Sequence, residues 1–512
     1  MIPMTLEKTR RTVAPLVLAL AAALAACGSD GGGKKTPTDV YAYTPPPAGA
    51  APAGLEPATW KAHLEADLVP YWAQGAAKGT PVGNFPTYRT MTGATTANGA
   101  RKPRMLGRQT YAYAIRYMMT GDEEALSLAR AGTQWILDHA WDASVGGWYA
   151  DLDAAGAPAG TGDKFAQDFS YTVMGPAAYY YVTRDPAAEA AVLATRDLLF
   201  DPAKYWDAPN QRIKDGMNAG LTAEVPMADA GWELVAQLDP VTAFMLLVQP
   251  VLSTPARRTE MLSDLRTLGT TMKGSFFQDG FMWGTTATLG QFGARHADFG
   301  HGLKAYWALT QIDKRLDDRP FASFLATAAP PNVELAIDPL TGRWGNRPTS
   351  ATTAAYGSDW WIYAEADQFT ATLALHDPAR WLPKLAVTAP EFVSKFVDRT
   401  IGREAAMEVY PSINRNGGHF NWPDGDTAKC NEWKSGFHSH EHALVMYLFS
   451  HWLAGTPAPL YFAFPAADAQ AMAALTPPYT FQGKVASVED LGAIATDPAG
   501  RHKVRITFTE LR

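Results

Sequence analysis

The feature that most limits how this chain can fold is a break that recurs between helical runs. Tyr117-Met118-Met119-Thr120-Gly121-Asp122 leads into an Ala-rich helix, and Tyr180-Tyr181-Val182-Thr183-Arg184-Asp185 leads into another. Leu375-His376-Asp377-Pro378 opens a third. Each reads as a helix end, a short turn and a helix running back the other way. Arg104 to Thr120 sets Leu106, Tyr111, Ala114 and Met118 at helical spacings, and Asp122 to Leu137 is a second amphipathic run. Loops that pair Gly with aromatics separate such runs at Val145-Gly146-Gly147-Trp148-Tyr149, Gly280-Phe281-Met282-Trp283-Gly284 and Thr341-Gly342-Arg343-Trp344-Gly345. About a dozen helical segments fit between Glu56 and Ala454, with little strand-like alternation. Helix pairs of this kind bury one face on their neighbours. Six pairs close into an all-α (α/α)6 barrel with a central funnel. An open solenoid would show the same periodicity.

Both ends of the chain read differently. Lys8, Arg10 and Arg11 precede an apolar stretch, Val13 to Ala26, that ends Leu24-Ala25-Ala26-Cys27-Gly28. This is a secretory signal, too short for a comfortable membrane span of about 20 residues. Leu-Ala-Ala-Cys resembles the lipobox of bacterial lipoproteins. That resemblance implies cleavage before Cys27, lipidation of its sulfur and an anchored protein in the cell envelope. Gly28 resembles the outer-membrane-sorted type, facing the periplasm or the cell surface. Residues 27–55, rich in Gly, Lys, Thr, Pro and Ala, read as an extended tether. The barrel is expected over 56–456. Beyond it, Pro457 to Pro465 is apolar and Pro-rich, while 479–485 and 503–508 alternate with period two. Residues 457–512 therefore read as a small β appendage that caps or braces the helices.

Composition excludes several classes. The chain has 512 residues, 47% of them apolar, with 16 Trp, 20 Tyr and 22 Phe, enough for a large core. Net charge is -7 and no basic run follows Arg11, which argues against a nucleic-acid partner. The two cysteines, Cys27 and Cys430, make no disulfide framework. High aromatic content suits a sugar-binding cleft.

Five stretches could carry chemistry. Asn431 to His442 places His438, His440 and His442 where a Gly-rich polar region meets an apolar helix, and histidine titrates near neutrality. Asp298-Phe299-Gly300-His301-Gly302-Leu303-Lys304 starts a helix with His301 near its N-terminus. Trp360-Trp361-Ile362-Tyr363-Ala364-Glu365 puts Glu365 in an aromatic-lined helix, where a carboxylate is costly unless paired. Arg108 sits in the otherwise apolar Arg108-Gln109-Thr110-Tyr111-Ala112-Tyr113, and Asp168 reads as a helix N-cap.

Taken in order, Arg108-Gln109 with Tyr111 and Tyr113, Gly146-Gly147-Trp148-Tyr149, Gly300-His301, Trp360-Trp361 with Ala364-Glu365, and Trp433-Lys434 with Phe437-His438 resemble the N-acylglucosamine 2-epimerase superfamily, which includes the cellobiose 2-epimerases. The resemblance spans Glu56 to Ala454 and implies an (α/α)6 barrel and a reaction without cofactor or metal. A ring-opened sugar loses the proton beside its carbonyl and regains one on the opposite face or on the neighbouring carbon. It implies His301 and His438 as the acid–base pair, Arg108 as the group that stabilises the enediolate, and Glu365 as the residue that orients a histidine or binds hydroxyls. Tyr111, Asp168, Gln237, Asp239, Lys304, Trp360, Trp361 and Trp433 are the expected substrate contacts. Two departures stand out. Lys304 takes the place of a family Glu, and Glu233 to Asp239 replaces the family's Asn-Pro-His-Met-His segment.

Two other readings use the same toroid. A glycoside hydrolase or lyase would need a carboxyl pair, drawn from Asp168, Asp239, Asp298 and Glu365. A binding-only lipoprotein would stack glycans on Trp148, Trp283, Trp344 and Trp360. A metal site at His438, His440 and His442 is disfavoured, because there is no His-Glu-x-x-His motif and His440 points away from its neighbours on a helix.

Overall fold

The computed structural model describes residues 40–160, 162–227, 231–400, 408–420 and 428–512. Among them, twelve helices make the body: α1 (Pro57–Ala62), α2 (Pro103–Thr120), α3 (Glu123–His139), α4 (Ala166–Thr183), α5 (Pro186–Leu199), α6 (Leu234–Pro240), α7 (Pro255–Phe276), α8 (Phe299–Asp313), α9 (Ala322–Ala336), α10 (Trp360–Ala374), α11 (Pro378–Glu391) and α12 (Phe437–Leu453). The repeated turns explain how they alternate in direction. Helix α2 ends at Gly121, whose φ of 70° is left-handed, and Asp122 then accepts the N–H of Glu124 to cap α3. Helix α4 ends at Arg184 with φ 58°, and Asp185 caps α5 through Ala187 and Ala188. Asp377 caps α11 through the N–H of Arg380.

The even-numbered helices form an inner ring in which each packs on the next, and α12 returns to α2. Every odd-numbered helix lies outside its partner: α3 on α2, α5 on α4, α7 on α6, α9 on α8 and α11 on α10. Helix α1, from the start of the body, packs on α12 at its end and completes the sixth pair. The toroid is therefore closed, and the open solenoid is excluded.

Position in the ring dictates side-chain pattern. Inner helices are enclosed all round, so every residue of α8 from Leu303 to Asp313 is buried, and so is α12 from Phe437 to Ser450. Outer α3 buries a stripe of Ala125, Leu126, Leu128, Ala129, Gly132, Thr133 and Ile136. Helices α2 and α4 approach through glycine. A Cβ on Gly107 would stand 2.0 Å from the Tyr171 carbonyl oxygen, and one on Gly175 would stand 2.7 Å from that of Gly107.

Short antiparallel ribbons link outer helices to the next inner helix, as with Asp151–Leu152 against Pro158–Ala159 between α3 and α4. The C-terminal sheet comprises β1 (Ala458–Phe464), β2 (Lys484–Ala493) and β3 (His502–Thr509), with β3 in the middle and all pairs antiparallel. The sequence pattern missed β1. Its Pro459 lies on an edge strand, where the missing N–H breaks no ladder bond. The expected strand at 479–485 is displaced: β2 starts at Lys484, and Tyr479 is a left-handed turn residue with φ 60°.

This sheet is no separate appendage. Leu460, Phe462, Phe464, Val504, Ile506 and Phe508 are wholly buried in the core that the barrel helices share, and the Tyr117 hydroxyl of α2 donates to the Phe462 carbonyl at 3.0 Å. The stretch expected as a free tether is likewise held. Tyr41 donates to Asp313 Oδ2 at 2.7 Å, and Leu55 is buried. Cys27 and the signal lie outside the described residues.

Candidate active site

All six inner helices begin at one end of the toroid, and the site is built from their first two turns. An upper layer comes from the second or third residue of five of them: Arg104 on α2, Gln167 on α4, His301 on α8, Trp361 on α10 and His438 on α12. One turn deeper lie Arg108, Tyr171, Asp239, Lys304, Glu365 and Glu441, each the fifth or sixth residue of its helix. The spacing of three or four residues between the layers keeps both on the funnel face. Arg104, Arg108, Gln167, Tyr171, Arg295, His296, Asp298, His301, Lys304, Asp359, Trp360, Trp361, Trp433 and His438 line a cavity of about 460 Å³. Past Arg104, Gln167, Arg295 and Trp433 it adjoins a second chamber of about 450 Å³.

The two histidines are tuned in opposite directions. Asp298 caps α8 by accepting the His301 N–H at 2.9 Å, and its Oδ2 lies 2.7 Å from His301 Nδ1. Burial works against the imidazolium, but the Asp298 charge and hydrogen bond outweigh it, so the pKa of His301 is raised above its ordinary value. His438 is pushed down to about 4 by burial, which the Glu365 carboxylate, 3.4 Å from Nδ1, offsets only in part. Both rings touch Trp361, with centroids 4.8 Å and 6.1 Å away. Trp361 is fixed by Gly300, where a Cβ would stand 2.3 Å from its ring.

Lys304 is the charge centre of the deeper layer. Its Nζ is 3.3 Å from the Tyr171 hydroxyl, 3.3 Å from Asp239 Oδ1 and 3.5 Å from Glu365 Oε1. Burial opposes the ammonium, but Tyr171, Glu365 and Asp239 raise its pKa well above the ordinary lysine value. Lys304 in turn outweighs burial at Glu365 and Asp239, whose pKa values are lowered. Asp239 also accepts from Gln167 at 2.9 Å and from Tyr171 at 3.0 Å. Arg108 lies over the Tyr171 ring, 3.8 Å from its centroid, and donates to the Trp433 carbonyl at 3.1 Å. Its Nε is buried and has no hydrogen-bond partner among the described residues.

Of the residues picked from sequence, His301, His438, Arg108, Lys304, Trp360, Trp361 and Trp433 line this cavity, with Glu365 and Asp239 directly behind Lys304. Trp433 is a rim residue, 57% exposed, with Arg104 stacked on it. Three expectations are corrected. Tyr111 sits one turn below Arg108 and off the cavity lining, its hydroxyl 2.7 Å from that of Tyr479. Gln237 is two residues before Asp239 and therefore faces away, bonded to both the N–H and the carbonyl of Ile213. Asp168 is not a cap but the third residue of α4, paired with Arg104 at 3.0 Å beside the second chamber.

Sequence reasoning missed Arg104, Tyr171, Arg295, His296, Asp359 and Glu441. For Arg104 the signal was its position one turn before Arg108, and for Glu441 three residues after His438. The residues of the other two readings have these partners, while Trp360 stays on the cavity wall. Asp168 is committed to Arg104, Asp298 to His301, and Asp239 and Glu365 to Lys304. Trp148, Trp283 and Trp344 are core residues whose indole N–H groups bond Thr195, the Gln278 carbonyl and Asp367. His438, His440 and His442 do not converge, since His440 bonds the Gly436 carbonyl and His442 bonds Asp367. Glu365, His438 and Glu441 do come within 4.8 Å of one another, but the Lys304 ammonium already supplies the positive charge beside Glu365.

Known proteins share this architecture. Residues 83–229 match the family model of N-acylglucosamine 2-epimerase (GlcNAc 2-epimerase). The resemblance read from the motifs is thereby borne out over that stretch, which carries Arg108 and the Gly146-Gly147-Trp148-Tyr149 loop. The fold is that of cellobiose 2-epimerase from Spirochaeta thermophila DSM 6192, at TM-score 0.65 and 17% identity over 78% of this chain and 97% of that one. Cellobiose 2-epimerase from Bacillus thermoamylovorans B4167 gives TM-score 0.63 and 14% identity over 77% and 99%. A D-mannose isomerase gives TM-score 0.64 and 16% identity over 78% and 100%. No curated protein sequence matches the chain.

Proposed function

We propose that the protein is a cofactor-independent sugar epimerase or aldose–ketose isomerase. The observation that carries this reading is the opposite tuning of two histidines on one cavity, which separates an acid from a base as proton transfer at carbon requires. His438, neutral, removes the proton on the carbon beside the carbonyl of a ring-opened sugar. His301, protonated, delivers a proton to the other face of that carbon or to its neighbour. Arg108 and the Lys304 ammonium, both on the cavity wall, stabilise the oxyanion that develops between the two steps. Trp360 and Trp361 supply flat apolar walls for the sugar. The second chamber gives room for a further residue of an oligosaccharide.

The test is incubation of the purified protein with a panel of reducing sugars in deuterated water, following the C2 proton by NMR. Exchange is expected, and it is expected to vanish in His301→Ala and His438→Ala. Cleavage products without exchange would support a hydrolase instead. The place of action proposed from the sequence is the cell envelope, through lipid on Cys27. Metabolic labelling with an alkyne fatty acid is expected to mark the wild type and not Cys27→Ser.

A further inference from the structure

Below His438 and Glu365 the funnel is closed by Glu441, Tyr111 and Tyr479. The first two come from inner helices α12 and α2, but Tyr479 comes from the segment between β1 and β2, outside the barrel. Its hydroxyl donates to Glu441 Oε1, and the Tyr111 hydroxyl lies 2.7 Å from it. Since the Tyr479 hydrogen is used on Glu441, Tyr111 is the donor to Tyr479. Both hydroxyls therefore point toward the carboxyl. Tyr479 is held for this in the left-handed region at φ 60°, a conformation that a tyrosine adopts only where its surroundings fix it. Its N–H is bonded to the Tyr181 hydroxyl at 2.9 Å.

The charges around this floor decide what Glu441 does. The groups facing Glu441 and His438 are Arg108 and Tyr111 from α2, Tyr171 from α4, Lys304 from α8, Glu365 from α10 and Tyr479. Within the site, Asp298 is paired with His301, and Asp239 and Glu365 already share the one ammonium of Lys304. Glu441 is 5% exposed and has no ion pair among the described residues, while a Glu365 oxygen lies within 4.8 Å of one of its own. A fourth carboxylate there would be an uncompensated buried charge beside another anion. We infer that Glu441, gripped by the Tyr479 hydroxyl from the C-terminal segment, serves the proposed proton transfer as a neutral acid that keeps His438 a free base. Burial and the nearby Glu365 agree with this, since they push Glu441 up to about 8 against the tyrosine hydroxyls and the Lys304 charge, which pull the other way. Ionised Glu441 would place a second negative charge against His438, favour its imidazolium and remove the base. Glu441 and Tyr479 are thus positioning residues that act through His438, and the inference rests on the epimerase or isomerase reading only for what His438 then does.

The experiment is a titration of the full-length protein with ¹⁵N-labelled histidine, followed by NMR from pH 5 to 10 and requiring no substrate. In the wild type the His438 signal is expected to show a break near the pH where Glu441 ionises. In Glu441→Gln, which preserves the shape and the hydrogen bond from Tyr479, that break should be absent. In Tyr479→Phe it should move up by about one pH unit, because the carboxylate loses one charge-assisted hydrogen bond. A break that persists in Glu441→Gln overturns the inference, and a break unmoved in Tyr479→Phe reduces Tyr479 to a structural part. The sugar-exchange assay then separates the two ideas. The expected titrations without exchange on any sugar would sink the functional reading and leave the role of Glu441 standing.

Discussion

The pair Asp298–His301 shows most directly how one side chain sets the chemistry of another. Asp298 both caps α8 and raises the pKa of His301. Asp298→Asn keeps much of the cap but removes the charge and hydrogen bond that oppose burial, so the pKa of His301 falls, with Asp239 still raising it and Lys304 lowering it. A rate profile limited by protonated His301 on its alkaline side should therefore break at lower pH in the variant, with a loss of about 10²-fold or more at pH 8, the scale of one general acid. Stability follows the same sign. A histidine whose folded pKa is raised contributes stability that is full below its unfolded pKa of about 6.5 and disappears as pH rises through the folded value. The difference in Tm between wild type and Asp298→Asn should thus be larger at pH 5.5 than at pH 9. Most of this site was legible in the sequence, because His301, Lys304, Glu365 and His438 are polar groups in apolar helices, and burial there demands partners. Tyr111 and Gln237 misled because the family resemblance, not the helix phase, brought them in. Counted from the helix starts, Tyr111 lies a turn too deep and Gln237 on the wrong side.

At the level of helices, the funnel depends on how closely inner neighbours approach. The α2–α4 contact is glycine against backbone, and the clash that Gly107→Ala would make is with the Tyr171 and Thr172 carbonyl oxygens, at 2.0 Å and 2.6 Å. Backbone cannot swing aside as a side chain can, so the two helices must part. Overpacking of this kind costs about 1–3 kcal/mol. It should also reach catalysis, because Arg108 follows Gly107 directly and stacks on Tyr171 across the same contact. Gly107→Ala is expected to lower the midpoint of chemical denaturation and to reduce kcat. Gly274→Ala, on outer α7 with open space around it, should change neither. The helical repeat was readable because the Gly-Asp, Arg-Asp and Asp-Pro turns carry their own mechanism. Ring closure was not, since nothing local marks α1 and α12 as partners across the length of the chain. The C-terminal sheet escaped in part for a related reason. Strand β1 has no polar–apolar alternation to detect, because its outer face is also apolar: Ala458, Leu460, Phe462 and Phe464 are buried on one side, and half-buried Pro459 and Tyr461 lie with buried Ala463 on the other.

For the whole molecule, the toroid and the sheet stand or fall together. Tyr41–Arg512 is one compact unit, and the sheet buries its apolar face on α2 and α4. Leu460, Phe462, Phe464, Val504, Ile506 and Phe508 are each fully buried. At about 1.5–3 kcal/mol for each such side chain, these six contribute on the order of 10 kcal/mol. That is comparable with the entire net stability of a typical folded domain, about 5–15 kcal/mol. The barrel loses more than area if they go. The Tyr117 hydroxyl would lose the Phe462 carbonyl, and the Tyr111–Glu441 floor would lose Tyr479 and open to water. Truncation after Gly455, which leaves all twelve barrel helices in place, is therefore expected to give protein without a cooperative thermal transition by circular dichroism. If that fragment melts cooperatively near the full-length Tm, the sheet is dispensable to the core. Supplying residues 456–512 in trans should then restore the His438 titration only if Tyr479 is what the floor lacked.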